Sequence, residues 1–194
     1  MKFQKFANEY IKSLKADLDR LDLEMLEKIT ELIWQTYKNN KTLYLIGNGG
    51  SAATASHMAN DFSKGLLGHK GDVPVKPMKA VALTDNFSLI SAWANDTSFE
   101  DVFSRQIECL AEKGDLLIVF SASGNSPNIL KAVKTAKKKG LKTIGFCGFD
   151  GGKLKKMADL SLVVYDNHYG RAEDAHLIFC HIISNFLYEK LKES

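Results

Sequence analysis

The residue types able to do chemistry in this chain gather in two short loops and one helical pair. The first loop, Gly47-Asn48-Gly49-Gly50-Ser51, follows the apolar run Leu43 to Gly47 and precedes a helical pattern. Its glycines let backbone N–H groups approach a ligand, Ser51 can cap the helix, and an anion is favoured at such a helix start. The second loop, Ser121-Ala122-Ser123-Gly124-Asn125-Ser126, also lies between a buried run and a helix, and Pro127 suits a first helical position. Three hydroxyls and several N–H groups there could converge on one phosphate. A ligand-free turn would explain the glycines of the first loop, and a plain helix cap would explain one serine of the second, but not three. The second loop lacks the Gly-Lys-Ser/Thr ending of a nucleoside triphosphatase and the spacing of a dinucleotide fingerprint, so a phosphate monoester is expected and no nucleotide cofactor. On the helix after the first loop, His57 and Asp61 are four residues apart and face the same way. Such a pair can bind a divalent metal, divide acid and base roles, or form a simple surface ion pair.

The elements that must position these residues are written in the apolar pattern. Phe3, Phe6, Tyr10, Ile11, Leu14, Leu18 and Leu21, then Leu26, Ile29, Ile33 and Tyr37, recur at helical period. They predict two N-terminal helices up to Asn39-Asn40, with more apolar surface than a sheet edge covers and hence a candidate subunit interface. Five apolar segments without strict alternation follow: Leu43 to Gly47, Ala80 to Leu83, Leu116 to Phe120, Thr143 to Cys147 and Leu160 to Tyr165. Strands buried on both faces have this pattern. Helical stretches Ser51 to Leu66, Phe87 to Ala94, Phe99 to Glu112, Pro127 to Lys139, Lys153 to Met157 and about Ala172 to Lys192 alternate with them. Alternation predicts an α/β fold with a five-stranded parallel sheet covered on both sides, and ligands beyond the carboxyl ends of its strands.

Composition narrows the class. The 194 residues fit one domain, 1–194, and Lys plus Arg (26) nearly balance Asp plus Glu (23), which argues against nucleic acid as a partner. Cys109, Cys147 and Cys180 are an odd count without paired spacing, which points to reduced thiols in a cytoplasm. No apolar run is long enough to span a membrane, and MKFQKFANEY lacks the apolar stretch of a signal peptide.

The two loops in this order, with Ala94-Asn95-Asp96, Phe99, Asp101-Val102-Phe103, Gly148, Asp150-Gly151-Gly152-Lys153 and the final helix, resemble the sugar isomerase (SIS) domain family, in particular its phosphoheptose isomerase branch. The resemblance implies a flavodoxin-like three-layer αβα sandwich with an N-terminal helical extension, and a cytoplasmic homotetramer with sites between subunits. It also implies conversion of sedoheptulose 7-phosphate to D-glycero-D-manno-heptose 7-phosphate for lipopolysaccharide or capsule synthesis. It assigns the phosphate to Ser121, Ser123 and Ser126, with Ala122 and Ser51 alongside, the sugar to Asn48, Gly49 and Gly50, and hydroxyl contacts to Asn95 and Asp96. Glu173 matches an acidic position bordering the site.

The family has a Glu, catalytic base and zinc ligand, where this chain has Asp61. On the last helix it has a Gln and, eight residues later, a His; matched by the resemblance, those positions hold His176 and Ser184. The expected catalytic pair is therefore Asp61 and His176, the expected zinc ligands His57, Asp61 and His176, with Cys180 one turn beyond and His181 assigned to packing or the surface. His168 and His69 are expected in exposed loops. Two other functions remain open: a phosphosugar-binding protein without strong catalysis, such as the branch that binds a replication initiator, and an isomerase of another sugar phosphate. Fold alone does not separate them.

Overall fold

A computed structural model describes residues 2–68 and 76–193; His69 lies outside the described residues. Two helices, α1 (Phe3–Asp19) and α2 (Leu23–Lys38), precede β1 (Leu43–Gly47). Asp22 starts α2 by accepting the Met25 N–H at 2.9 Å. Then come α3 (Gly50–Ser63), a 3₁₀ turn (Gly65–Leu67), β2 (Ala80–Ala82), α4 (Phe87–Asp96), a second 3₁₀ turn (Phe99–Asp101), α5 (Ser104–Leu110) and β3 (Leu116–Ser121). The chain continues through α6 (Pro127–Lys138), β4 (Lys142–Gly148), α7 (Gly152–Met157), β5 (Leu160–Val164) and α8 (Tyr169–Lys192).

The five strands are all parallel, in the order β2-β1-β3-β4-β5. Leu45, Ile118, Phe120 and Phe146 point to one face and pack with α2, α3 and α8, while Tyr44, Ile46, Leu117 and Val119 point to the other and pack with α5 and α6. This is the expected three-layer arrangement, and the period-two alternation of the strands sorts the two cores. Strand order reverses between β1 and β3, so the Gly47 loop and the Ser121 loop flank the switch point, where open α/β sheets hold ligands.

Three expectations are corrected. The segment at Ala80 is an edge strand, and Val81 is exposed where burial on both faces was expected. Phe99 to Glu112 is not one helix: Asp101 turns inward to pair with Lys131 at 2.8 Å, and the chain breaks at Val102 and Phe103, both buried, before α5 begins. The last helix starts at Tyr169, three residues early, because the His168 ring rather than a hydroxyl or carboxylate accepts the capping N–H, from Arg171 at 3.3 Å. Helix α1 buries no residue fully and leaves Phe3, Phe6 and Ile11 exposed.

Candidate active site

The serine loop is held from below and behind. Gly148 N–H donates to the Ala122 carbonyl at 2.9 Å, Leu154 N–H to the Gly124 carbonyl at 2.9 Å and Lys153 N–H to Asn125 Oδ1 at 3.1 Å. Gly124 has φ 62°, and a Cβ there would run into the Gly151 carbonyl oxygen, so the loop between β4 and α7 can brace the serine loop only against glycine. The hydroxyl oxygens also take part: Ser121 Oγ accepts the Gly124 N–H at 3.2 Å and Ser123 Oγ the Asn125 N–H at 3.3 Å. Using the acceptor side of each hydroxyl for loop shape leaves its O–H to donate to a ligand. Ser126 is the N-cap of α6 without a side-chain cap bond, so its hydroxyl is not used up by the helix.

Across the switch point the two loops are joined by a reciprocal amide pair. Asn48 Nδ2 donates to Asn128 Oδ1 at 3.0 Å, and Asn128 Nδ2 returns the bond to Asn48 Oδ1 at 2.9 Å. Between them lies a cavity of about 130 Å³ lined by Asn48, Ser51, Phe120, Ser121, Ala122, Ser123, Ser126, Tyr169 and Glu173. The starts of α3 and α6 both face it, with N–H dipoles directed at any anion held there. Ser51 is not the cap that its position in the sequence suggested. Gly49, at φ 55°, is the N-cap, and Ser51 Oγ donates to Glu173 Oε1 at 3.4 Å. Gly50 lies directly against that carboxylate, so a side chain there would displace Glu173 from Ser51.

Farther along α3 and α8 is a second group. His57 Nε2 and His181 Nε2 are 2.9 Å apart, and Asp61 Oδ2 lies 3.5 Å from the first and 4.0 Å from the second. Both imidazoles are about half exposed and the carboxylate is mostly buried. An open cavity of about 310 Å³, lined by Lys64, Ser184, Asn185 and Tyr188 among others, begins at Asp61 and His181. Two imidazoles and a carboxylate whose ligand atoms all lie within 4.8 Å of one another are a donor set suited to zinc.

His176 is absent from this group. It is fully buried among Phe120, Phe146 and Phe179, and its Nε2 donates to the Cys147 carbonyl at 3.1 Å. Burial pushes its pKa down to about 4, so the ring stays neutral. Its enclosure among the phenylalanine rings, away from His57 and Asp61, is what keeps it from serving as a ligand or acid–base partner there. Cys180 is buried on the same stripe, and burial raises its thiol well above the usual range. Glu173 lines the serine cavity and His181 joins His57 and Asp61; the two are eight residues apart, the spacing that the resemblance placed at His176 and Ser184, three residues farther along. His181 was legible: Ala172, Ala175, His176, Phe179, Ile183 and Leu187 form the buried stripe of α8, and His181 falls off it.

Asn95 and Asp96 lie at the exposed end of α4, where Asn95 Nδ2 donates to Asp96 Oδ1 at 2.8 Å. Neither is among the described residues lining the serine cavity. His168 is exposed just before α8, as expected, its ring standing edge-on to Tyr10 at 5.5 Å. Tyr169 was not foreseen at the site.

A five-stranded parallel sheet with a cavity of about 130 Å³ between the loops at its switch point defines an α/β domain of the doubly wound class. The SIS domain family model matches residues 6–148. A phosphoheptose isomerase of Aliarcobacter butzleri is 41% identical over 168 residues, covering 87% of this chain and 86% of its own. Among solved structures, the phosphoheptose isomerase of Neisseria gonorrhoeae superposes with a TM-score of 0.84 at 32% identity, covering 94% of this chain and 95% of its own. That of Francisella tularensis gives 0.89 at 25% identity, covering 97% and 100%. The chain belongs to the SIS domain family, and within it to the phosphoheptose isomerase branch.

Proposed function

We propose that this chain is an aldose–ketose isomerase that converts sedoheptulose 7-phosphate to D-glycero-D-manno-heptose 7-phosphate, as one domain acting in the cytoplasm to supply surface polysaccharide. One observation carries the reading: the serine cavity and the His57–Asp61–His181 group lie along the same two helices. Ser51 and His57 are six residues apart on α3, roughly 9 Å of helix, which is the scale of an open-chain sugar phosphate. The names of the relatives support the same substrate. Among the described residues no helix is long and apolar enough to cross a membrane.

In this mechanism Ser121, Ser123 and Ser126 donate to the phosphoryl oxygens, while the starts of α3 and α6 offset the dianion without a cation. The sugar chain then runs along α3 toward Asp61, past Glu173, which orients the Ser51 hydroxyl. An enediol isomerisation moves a proton between neighbouring carbons, and Asp61 Oδ1, the oxygen turned from the two imidazoles, carries that proton. His57 and His181 stand against Oδ2 of Asp61 and hold its carboxylate in place. His57, Asp61 and His181 would hold zinc, which when bound supplies Lewis-acid polarisation of the sugar carbonyl. Asn95 and Asp96, which do not line the serine cavity of their own chain, contact the sugar hydroxyls of a neighbouring copy in a homotetramer, whose contacts also cover the exposed apolar face of α1.

The test is direct. Purified protein, with and without added zinc, should equilibrate sedoheptulose 7-phosphate with the aldoheptose phosphate. Inactivity under both conditions, with sugar phosphates still raising the melting temperature, would make it a phosphosugar-binding protein instead.

A further inference from the structure

The serine cavity has an aromatic wall that the phosphate-binding loops do not supply. Tyr169, the first residue of α8, lines it beside the serines. The Tyr169 ring stands edge-on to Phe149, with centroids 4.8 Å apart and planes at 76°. Phe149 follows β4 and has φ 54°, a left-handed backbone that bulky residues rarely adopt. Such a residue persists only where its surroundings hold it.

Those surroundings are a built turn. Phe149 N–H donates to the Asp166 carbonyl at 3.2 Å, and Asp166 Oδ1 accepts the His168 N–H at 2.9 Å. Arg171 clamps the same carboxylate with both Nε and an Nη, the latter at 2.7 Å. Tyr169 therefore stands between two residues tied to one carboxylate, with its ring fixed by a third. An edge-to-face ring pair of this kind favours one orientation of the Tyr169 ring. The Tyr169 hydroxyl makes no hydrogen bond to another described residue, so no protein contact through that end sets the ring's position; the Phe149 edge does.

We infer that Tyr169 is a positioning residue that closes the serine cavity over the phosphoryl group, and that Phe149 holds it there. The inference rests on the assignment of that cavity to phosphate. Tyr169 is 58% exposed, so its ring forms one rim of the cavity. From that rim it shields one side of the hydrogen bonds made by Ser121, Ser123 and Ser126 and so strengthens binding of the substrate and its transition state alike. Uniform binding of that kind changes KM and leaves kcat alone.

Steady-state kinetics with sedoheptulose 7-phosphate, and thermal protection by inorganic phosphate, test it on the whole protein. Tyr169→Ala should raise KM roughly tenfold with kcat within about twofold, and should lose phosphate protection in parallel. Phe149→Gly removes the ring and relieves the backbone, so it should give the same KM shift without loss of melting temperature. Tyr169→Phe should match the wild type, since the ring rather than the hydroxyl closes the cavity. A KM and phosphate protection unchanged in Tyr169→Ala would overturn the inference, as would a fall in kcat at constant KM, or Tyr169→Phe behaving like Tyr169→Ala. If the wild type neither turns over the sugar phosphate nor gains stability from phosphate, the assignment of the cavity fails and takes this inference with it.

Discussion

His176 and His181 sit five residues apart on one helix, and their surroundings make them different chemical objects. His176 is enclosed by three phenylalanine rings with a single backbone carbonyl as partner, while His181 meets an imidazole and a carboxylate at a cavity mouth. The first is kept neutral by desolvation and serves to tie α8 to the end of β4. The second keeps access to solvent and ligands. Which histidine can do chemistry is decided by the phase of the helix, because a turn of 100° per residue separates core from rim within five positions.

The largest effect that could break this contrast comes from the carboxylate beside His181. Asp61→Asn should lower kcat by at least ~100-fold, the usual loss when a positioned base is removed, with little change in KM. Turnover surviving in that variant would move the base elsewhere. Next, His181→Ala should abolish zinc binding in elemental analysis of freshly purified protein and reduce turnover, whereas His176→Phe should keep both; the reverse pattern would restore the original assignment. At the opposite end of the site, Ser123→Ala removes one donor to the phosphoryl group and should raise KM by about tenfold at nearly constant kcat, in line with a lost hydrogen bond to a charged group.

The smallest effect on turnover sharpens the contrast from the buried side. The His176 pKa is about 4 in the fold and 6.5 when unperturbed. Between those values the unfolded chain takes up a proton that the folded chain excludes. Stability is therefore complete above pH 6.5 and declines as the pH falls toward 4, by on the order of 3 kcal/mol. In chemical denaturation across that window, His176→Phe should show a shallower decline than the wild type. Equal slopes would mean that the ring is not shielded from protonation.

Much of this architecture is legible in the sequence, for local reasons. The bounds of β1 and the positions of both glycine–serine loops coincide with the expected ones because an apolar run ended by Gly or Ser is a short-range signal. Val81 was misplaced because a three-residue strand has no alternation to distinguish an edge from the centre. Tyr169 was invisible for another reason: nothing near it in the chain marks it, and it meets the serine loop only through the fold. The placing of the eight-residue pair at His176 and Ser184, where the structure offers Glu173 and His181, shows the hazard of carrying ligands along a helix by resemblance alone. The buried stripe of α8 held the information that corrects it.

A structure of the protein with an open-chain sugar phosphate bound tests the central claim most directly. The account predicts the phosphoryl group within hydrogen-bond reach of Ser121, Ser123 and Ser126, and the first two sugar carbons beside Asp61 and His181. A sugar phosphate bound elsewhere, or seated in the cavity with its carbonyl end turned away from α3, would contradict it.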